Sequence, residues 1–172
     1  MKNTLFLIFI LFTSFSVFSQ NYIFIGDDQF ESTNTWKFEM NATYWTGNPE
    51  LTVAKNNNGS GYLMISINVP FKSTYIGGTI FLFLEDGSTI KCTDKGVRDH
   101  VDDQSIAVYN FTKDEINLLK SKKIGKIRFS ILGGHQGKET FTANNKKPLF
   151  FSFDKKEKEY YETDKEISNL FN

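Results

Sequence analysis

Residues 79–94 read TIFLFLEDGSTIKCTD, and their pairing decides the fold. Asp86 and Gly87 stand between two runs of strand-forming residues. An Asp-Gly pair is the strongest short-range hairpin signal, because a type I′ turn needs positive φ at both central positions. With such a turn Glu85 faces Ser88, and counting outward pairs Leu84 with Thr89, Phe83 with Ile90, Leu82 with Lys91 and Phe81 with Cys92. One face then carries Phe81, Phe83, Ile90 and Cys92, and the other sets Ile80, Leu82 and Leu84 against Thr89, Lys91 and Thr93. The first strand is apolar on both faces and belongs inside a sheet. Its partner has a polar outer face and lies nearer an edge.

Toward the N-terminus of this hairpin, the alternation of Leu63, Ile65, Ile67 and Val69 with polar or flexible residues predicts a half-buried strand that Pro70 closes. Leu51 and Val53 begin another, and Trp36, Phe38 and Met40 alternate with Lys37 and Glu39, which assigns Trp36 to the core. Residues 22–25 form a short strand candidate, and 26–34 read as a loop. Toward the C-terminus, 95–104 read as a charged loop and 105–110 as a strand. Then Thr112 and Glu115 stand at capping-box spacing, with Phe111 placed to staple onto Ile116. Asp114 falls in the first turn and Lys120, Lys122 and Lys123 near the end, as the helix dipole prefers. This predicts one short helix burying Ile116 and Leu119, with Leu118 partly covered. Residues 126–132, 139–143 and 149–153 give three more strands, with Ile127, Phe129 and Ile131 pointing inward. Many short strands and one inserted helix point to a single-domain, mainly β antiparallel sandwich over residues 20–154, followed by a charged C-terminal helix or tail at 155–172. A lipocalin-like barrel is the alternative. The helical crossing between two strands fits a connection between sheets better than an up-and-down meander.

The first residues, MKNTLFLIFILFTSFSVFSQ, have a basic start, a short apolar run and small residues before Gln20. That pattern predicts a signal peptide over residues 1–19 and an exported chain, periplasmic or secreted, with no membrane span once it is removed. The 20 basic and 20 acidic residues balance, so charge gives no argument for nucleic acid. Cys92 is the only cysteine, so the chain folds without an internal disulfide and relies on its core. The hairpin pairing makes Cys92 a buried apolar residue rather than a nucleophile.

The densest polar cluster is Asp94, Asp99, His100, Asp102 and Asp103. Such an oxygen-rich loop could take calcium, but the spacing lacks the EF-hand pattern, and a solvated loop is the simpler reading, so no cofactor is expected. His135, in GGHQGKE, is the other histidine, and no GxSxG, HExxH or Walker pattern occurs. Tyr44 and Trp45 stand beside a turn, where exposed aromatics can stack on a sugar ring. The function expected is therefore a non-enzymatic binding or structural module with an unknown carbohydrate or protein partner. Tyr44, Trp45, Asp99 and His100 are its candidate ligand-binding residues. The alternative is a small exported hydrolase using His100 or His135 with an Asp as base.

The runs GGTIFLFLEDGSTIKC and YNFTKDEINLLKSKKIGKIRFSI, with a signal ending in FSQ, resemble small exported β-rich proteins of Bacteroidota-type bacteria that are uncharacterised. The likeness covers residues 77–131 and implies export. It brings no catalytic motif to carry over.

Overall fold

The structure is a computed structural model, and it describes residues 20–40, 47–134, 137–147 and 160–172. The predicted signal segment, Tyr44, Trp45, His135 and the strand expected at 149–153 lie outside the described residues. Two antiparallel sheets form a sandwich. The first contains β1 (Asn21–Ile25), β2 (Asp28–Ser32), β5 (Glu50–Lys55), β6 (Gly61–Asn68), β10 (Gln104–Phe111) and β9 (Arg98–Val101) in that order, with β3 (Trp36–Lys37) also pairing on β5. The second is ordered β4 (Glu39–Met40), β12 (Gly137–Asn144), β11 (Ile124–Gly133), β7 (Thr74–Leu84) and β8 (Thr89–Cys92). The sandwich expected from the strand pattern is the fold observed. The chain passes from the first sheet to the second at Phe38, between β3 and β4, then between β6 and β7, and again through helix α1 (Lys113–Leu119), between β10 and β11.

The hairpin at the centre of the fold forms, but one residue out of the expected register. Ile80 pairs with Cys92, Phe81 with Lys91, Leu82 with Ile90 and Phe83 with Thr89. Leu84 N–H donates to Ser88 O at 2.9 Å, and Gly87 N–H donates to Leu84 O at 3.0 Å. The loop is therefore Glu85, Asp86 and Gly87: a type I turn closed by a left-handed glycine, whose φ is +87°. The Asp86 carboxylate accepts from Ser88 N–H at 3.0 Å and from its hydroxyl at 2.6 Å, and pairs with Lys122 at 3.0 Å. These bonds, Ser88's first, hold its pKa down at about 2. The shift reverses the expected faces. Ile80, Leu82 and Leu84 point into the core with Ile90 and Cys92, while Phe81 and Phe83 are half-buried on the outer face opposite Lys91 and Thr89. The placement of β7 inside the sheet and β8 at its edge matches the sequence reading.

Inward residues of both sheets build the core: Trp36, Leu51, Leu63, Ile65, Ile127 and Phe129 are all at most 1% exposed. Helix α1 has the expected capping box. Glu115 N–H donates to Thr112 Oγ1 at 3.2 Å, and the Glu115 carboxylate accepts from Thr112 N–H at 2.7 Å. It ends sooner than expected, at Leu119, so Lys120 is its C-cap, and Lys122 and Lys123 lie beyond it and pair with Asp86 and Glu162. Two stretches expected to be loops hold strands. β2 folds back on β1 through Gly26, whose φ of +63° suits the first position of a type II′ turn, and β9 occupies part of the charged 95–104 segment.

The C-terminal residues dock firmly. Helix α2 (Thr163–Leu170) buries Ile167 completely, which contributes about 2 kcal/mol from burial alone. Thr163 Oγ1 accepts from Ile124 N–H at 2.9 Å, and Tyr161 stacks on Phe38 with ring centroids 6.1 Å apart. Asn145, only 2% exposed, donates to the carbonyls of Ile124 (2.8 Å) and Tyr161 (2.9 Å) and accepts from Tyr161 N–H (2.9 Å). Helices α1 and α2 together close one end of the sandwich over Gly61. A Cβ there would meet Ile116 Cδ1 at 2.8 Å and Phe171 Cζ at 3.1 Å.

Candidate ligand groove and the polar seam beside it

Strand β7 is bent by a bulge. Phe81 lies opposite Arg128 and Gly77 opposite Ser130, so residues 78–80 of β7 face Phe129 alone, and Gly78 takes a φ of +75°. Strand β8 pairs only with residues 80–83. Residues 74–78 therefore project beyond β8, and backbone groups on that side need other partners. Side chains supply them. Ser105 Oγ accepts from Ile76 N–H at 2.9 Å, and Asp94 Oδ2 accepts from Gly78 N–H at 2.7 Å. Tyr109 donates its hydroxyl to Gly78 O at 3.0 Å. His100 Nε2 lies 2.9 Å from Thr74 O; a carbonyl can only accept, so that nitrogen carries the proton. These residues come from β9, β10 and the loop after β8, so they join the two sheets along one side.

Asp94 organises the seam. Besides Gly78 it accepts from Gly96 N–H at 2.7 Å and forms an ion pair with Arg98, whose guanidinium sits 4.9 Å from the centre of the Tyr75 ring. Burial acts to raise the Asp94 pKa, but the bonds from Gly96 and Gly78 and the charge of Arg98 outweigh it and hold the carboxyl below its ordinary value. Ser105 is fully buried and Tyr109 is 1% exposed. Burial, reinforced by the negative charge of Asp94, keeps the Tyr109 hydroxyl protonated as a donor.

Of the residues singled out from sequence, Asp99 and His100 lie together on edge strand β9. Asp99 Oδ1 accepts from His100 N–H at 2.7 Å, while the His100 ring reaches across the seam. Asp102 sits at the turn between β9 and β10 with a φ of +53°. The acidic residues of this stretch are thus dispersed over the seam, an edge strand and a turn. Among the described residues no three His, Cys, Asp or Glu side chains converge on a common point. Cys92 is buried as expected, and burial, with the negative charge of Glu115, pushes its thiol up to about 12.

Where β9 ends, the rest of β10 has no strand on that side among the described residues, and β8 is likewise the last described strand of its own sheet. Between them lies a groove of about 490 Å³, continued by the turn after β5 and the start of α1. The half-buried Tyr62 ring lines it, packed edge-on against Phe30 with centroids 4.9 Å apart and its hydroxyl fixed by Asn56 Nδ2 at 3.0 Å. Asn58, Asn110 and Thr93 add amide and hydroxyl groups. Lys91 and Lys95 add two ammonium groups that form no ion pair among the described residues. This groove leaves little trace in the sequence, because its walls come from separated segments. Tyr62 alternating with core positions is the one local signal of an outward aromatic.

No family model, no curated protein and no solved structure matches this chain.

Proposed function

We propose that the protein is an exported, non-enzymatic binding module whose ligand is a carbohydrate carrying acidic groups, held in the groove between β8 and the end of β10. The observation that carries this reading is the conjunction in one groove of a ring fixed at its edge and its hydroxyl, amide groups able both to donate and to accept, and two ammonium groups that form no ion pair among the described residues. Sugars present apolar C–H faces that pack on aromatic rings, and hydroxyls that need paired donors and acceptors. Carboxylate or sulfate substituents would answer Lys91 and Lys95. The engagement of the His100 ring with Thr74 favours binding over the hydrolase alternative, because that bond ties the ring into the join between the sheets.

A glycan array probed with the mature chain, followed by calorimetry on the best acidic glycan, tests the reading. Tyr62→Ala should weaken binding at least about tenfold, as loss of a stacking platform does, and Lys91→Ala with Lys95→Ala should remove the preference for acidic sugars. An array without binding, or variants that bind like the parent while melting at the same temperature, would show the reading to be wrong. Export is checked separately: the mass of the secreted protein should begin at Gln20.

A further inference from the structure

Among the described residues four strands end the sheets, and three of them carry charged side chains that discourage pairing with another chain. β8 presents Lys91, β9 presents Arg98 and Asp99, and β4 carries Glu39. Strand β1 carries none. Its residues, NYIFI, are uncharged and free of proline, and among the described residues it pairs with β2 alone. Tyr22 is 43% exposed and Phe24 is 67% exposed. A free, flat, apolar edge is a template for another strand, and proteins ordinarily blunt one.

The hydrogen-bond phase of β1 says how that strand would be read. The turn at Gly26 and Asp27 makes Ile25 and Asp28 a bonded pair, and bonded pairs alternate along an antiparallel ladder. Ile23 therefore bonds to Phe30, and the backbone N–H and C=O of Tyr22 and Phe24 point away from β2 to the free edge. A two-fold axis through Ile23 would set Tyr22 against Phe24 of a second copy and Phe24 against its Tyr22, each pair exchanging both backbone bonds. The two aromatics would lie across from each other on one face, the arrangement cross-strand pairs favour. Asp27 and Asp28 fall beyond the paired residues, so like charges are not brought together.

We propose that the mature chain forms a two-fold symmetric dimer by antiparallel pairing of β1 with β1 of a second copy, which joins the two larger sheets into one continuous sheet. The test is sedimentation equilibrium on the chain from Gln20 to Asn172. The parent should be a concentration-dependent dimer. Phe24→Pro removes an outward donor without touching the bonds to β2, and Tyr22→Lys with Phe24→Lys adds like charges across the axis. Both variants should be monomers, with dissociation constants raised at least about a hundredfold. Val101→Lys, on the opposite edge of the same sheet, should dimerise like the parent. A parent that stays monomeric at millimolar concentration overturns the proposal, as does a dimer that survives both β1 changes. Far-ultraviolet circular dichroism distinguishes a folded monomer from an unfolded variant; if Phe24→Pro is unfolded, the double lysine variant decides.

Discussion

Asn145→Ala should cost far more than its size suggests. The side chain sits buried between β12 and the C-terminal residues and makes three hydrogen bonds, two as donor and one as acceptor, all at 2.8–2.9 Å. A typical protein hydrogen bond contributes about 1 kcal/mol net, while a buried group left without a partner costs about 1–3 kcal/mol. Ile124 is fully buried, so its carbonyl cannot turn to water, whereas the backbone of half-buried Tyr161 partly can. The sum is about 3–4 kcal/mol, against a total stability of about 5–15 kcal/mol for a domain of this kind. Equilibrium urea unfolding, followed by the fluorescence of buried Trp36, measures it. Half-buried Asn144, whose side chain forms no hydrogen bond among the described residues, is the control, and Asn144→Ala should stay within about 0.5 kcal/mol. A loss below about 1 kcal/mol for Asn145→Ala would refute the reasoning. A first transition of small amplitude would mean instead that residues 160–172 detach on their own.

Three further outcomes follow from the geometry. Gly133 has a φ of +87°, and a Cβ there would lie 2.0 Å from Ser73 O; Gly133→Ala should therefore destabilise by more than about 2 kcal/mol in the same assay. Cys92 should react with a thiol reagent only as fast as the fold opens, so its rate in native buffer should be orders of magnitude below that in urea; rapid native labelling would contradict its burial. The folded pKa of Asp94 is depressed, so its stabilisation is fully present above the unfolded value near about 4 and is lost as pH falls through the folded value. Asp94→Asn should consequently show a shallower loss of stability below about pH 4 than the parent, and an identical acid slope would count against the seam.

Much of the architecture is legible in the residues because alternation reports burial directly. Leu63, Ile65, Ile67, Ile127, Phe129 and Ile131 all point where their period places them, and the capping box at Thr112 fixes the start of α1. The register of the main hairpin was not legible from its turn alone. Asp-Gly serves a two-residue turn and a three-residue turn equally well, and a strand apolar on both faces cannot vote between them. The partner strand does vote: Ile90 and Cys92 must share a face with the better-buried set, which is Ile80, Leu82 and Leu84. Strands β2 and β9 escaped because short, charged strands look like loops. The groove escaped because Tyr62, Lys91 and Asn110 meet only once the sheets are stacked. The Asp94 to Asp103 stretch drew attention as chemistry, yet Asp94 and His100 meet the needs of unpaired β7 backbone, a demand that exists only in three dimensions.

The central claim is that polar side chains from one sheet complete the hydrogen bonding of the other along residues 74–78. Native-state hydrogen exchange at the Ile76 amide tests it most directly, because its acceptor is a side-chain hydroxyl on the opposite sheet. The account predicts protection on the order of 10⁴ or more in the parent, falling sharply in Ser105→Ala while the amides of β6 stay protected. Exchange within about tenfold of an unprotected amide in the parent, or no change in Ser105→Ala, would contradict it.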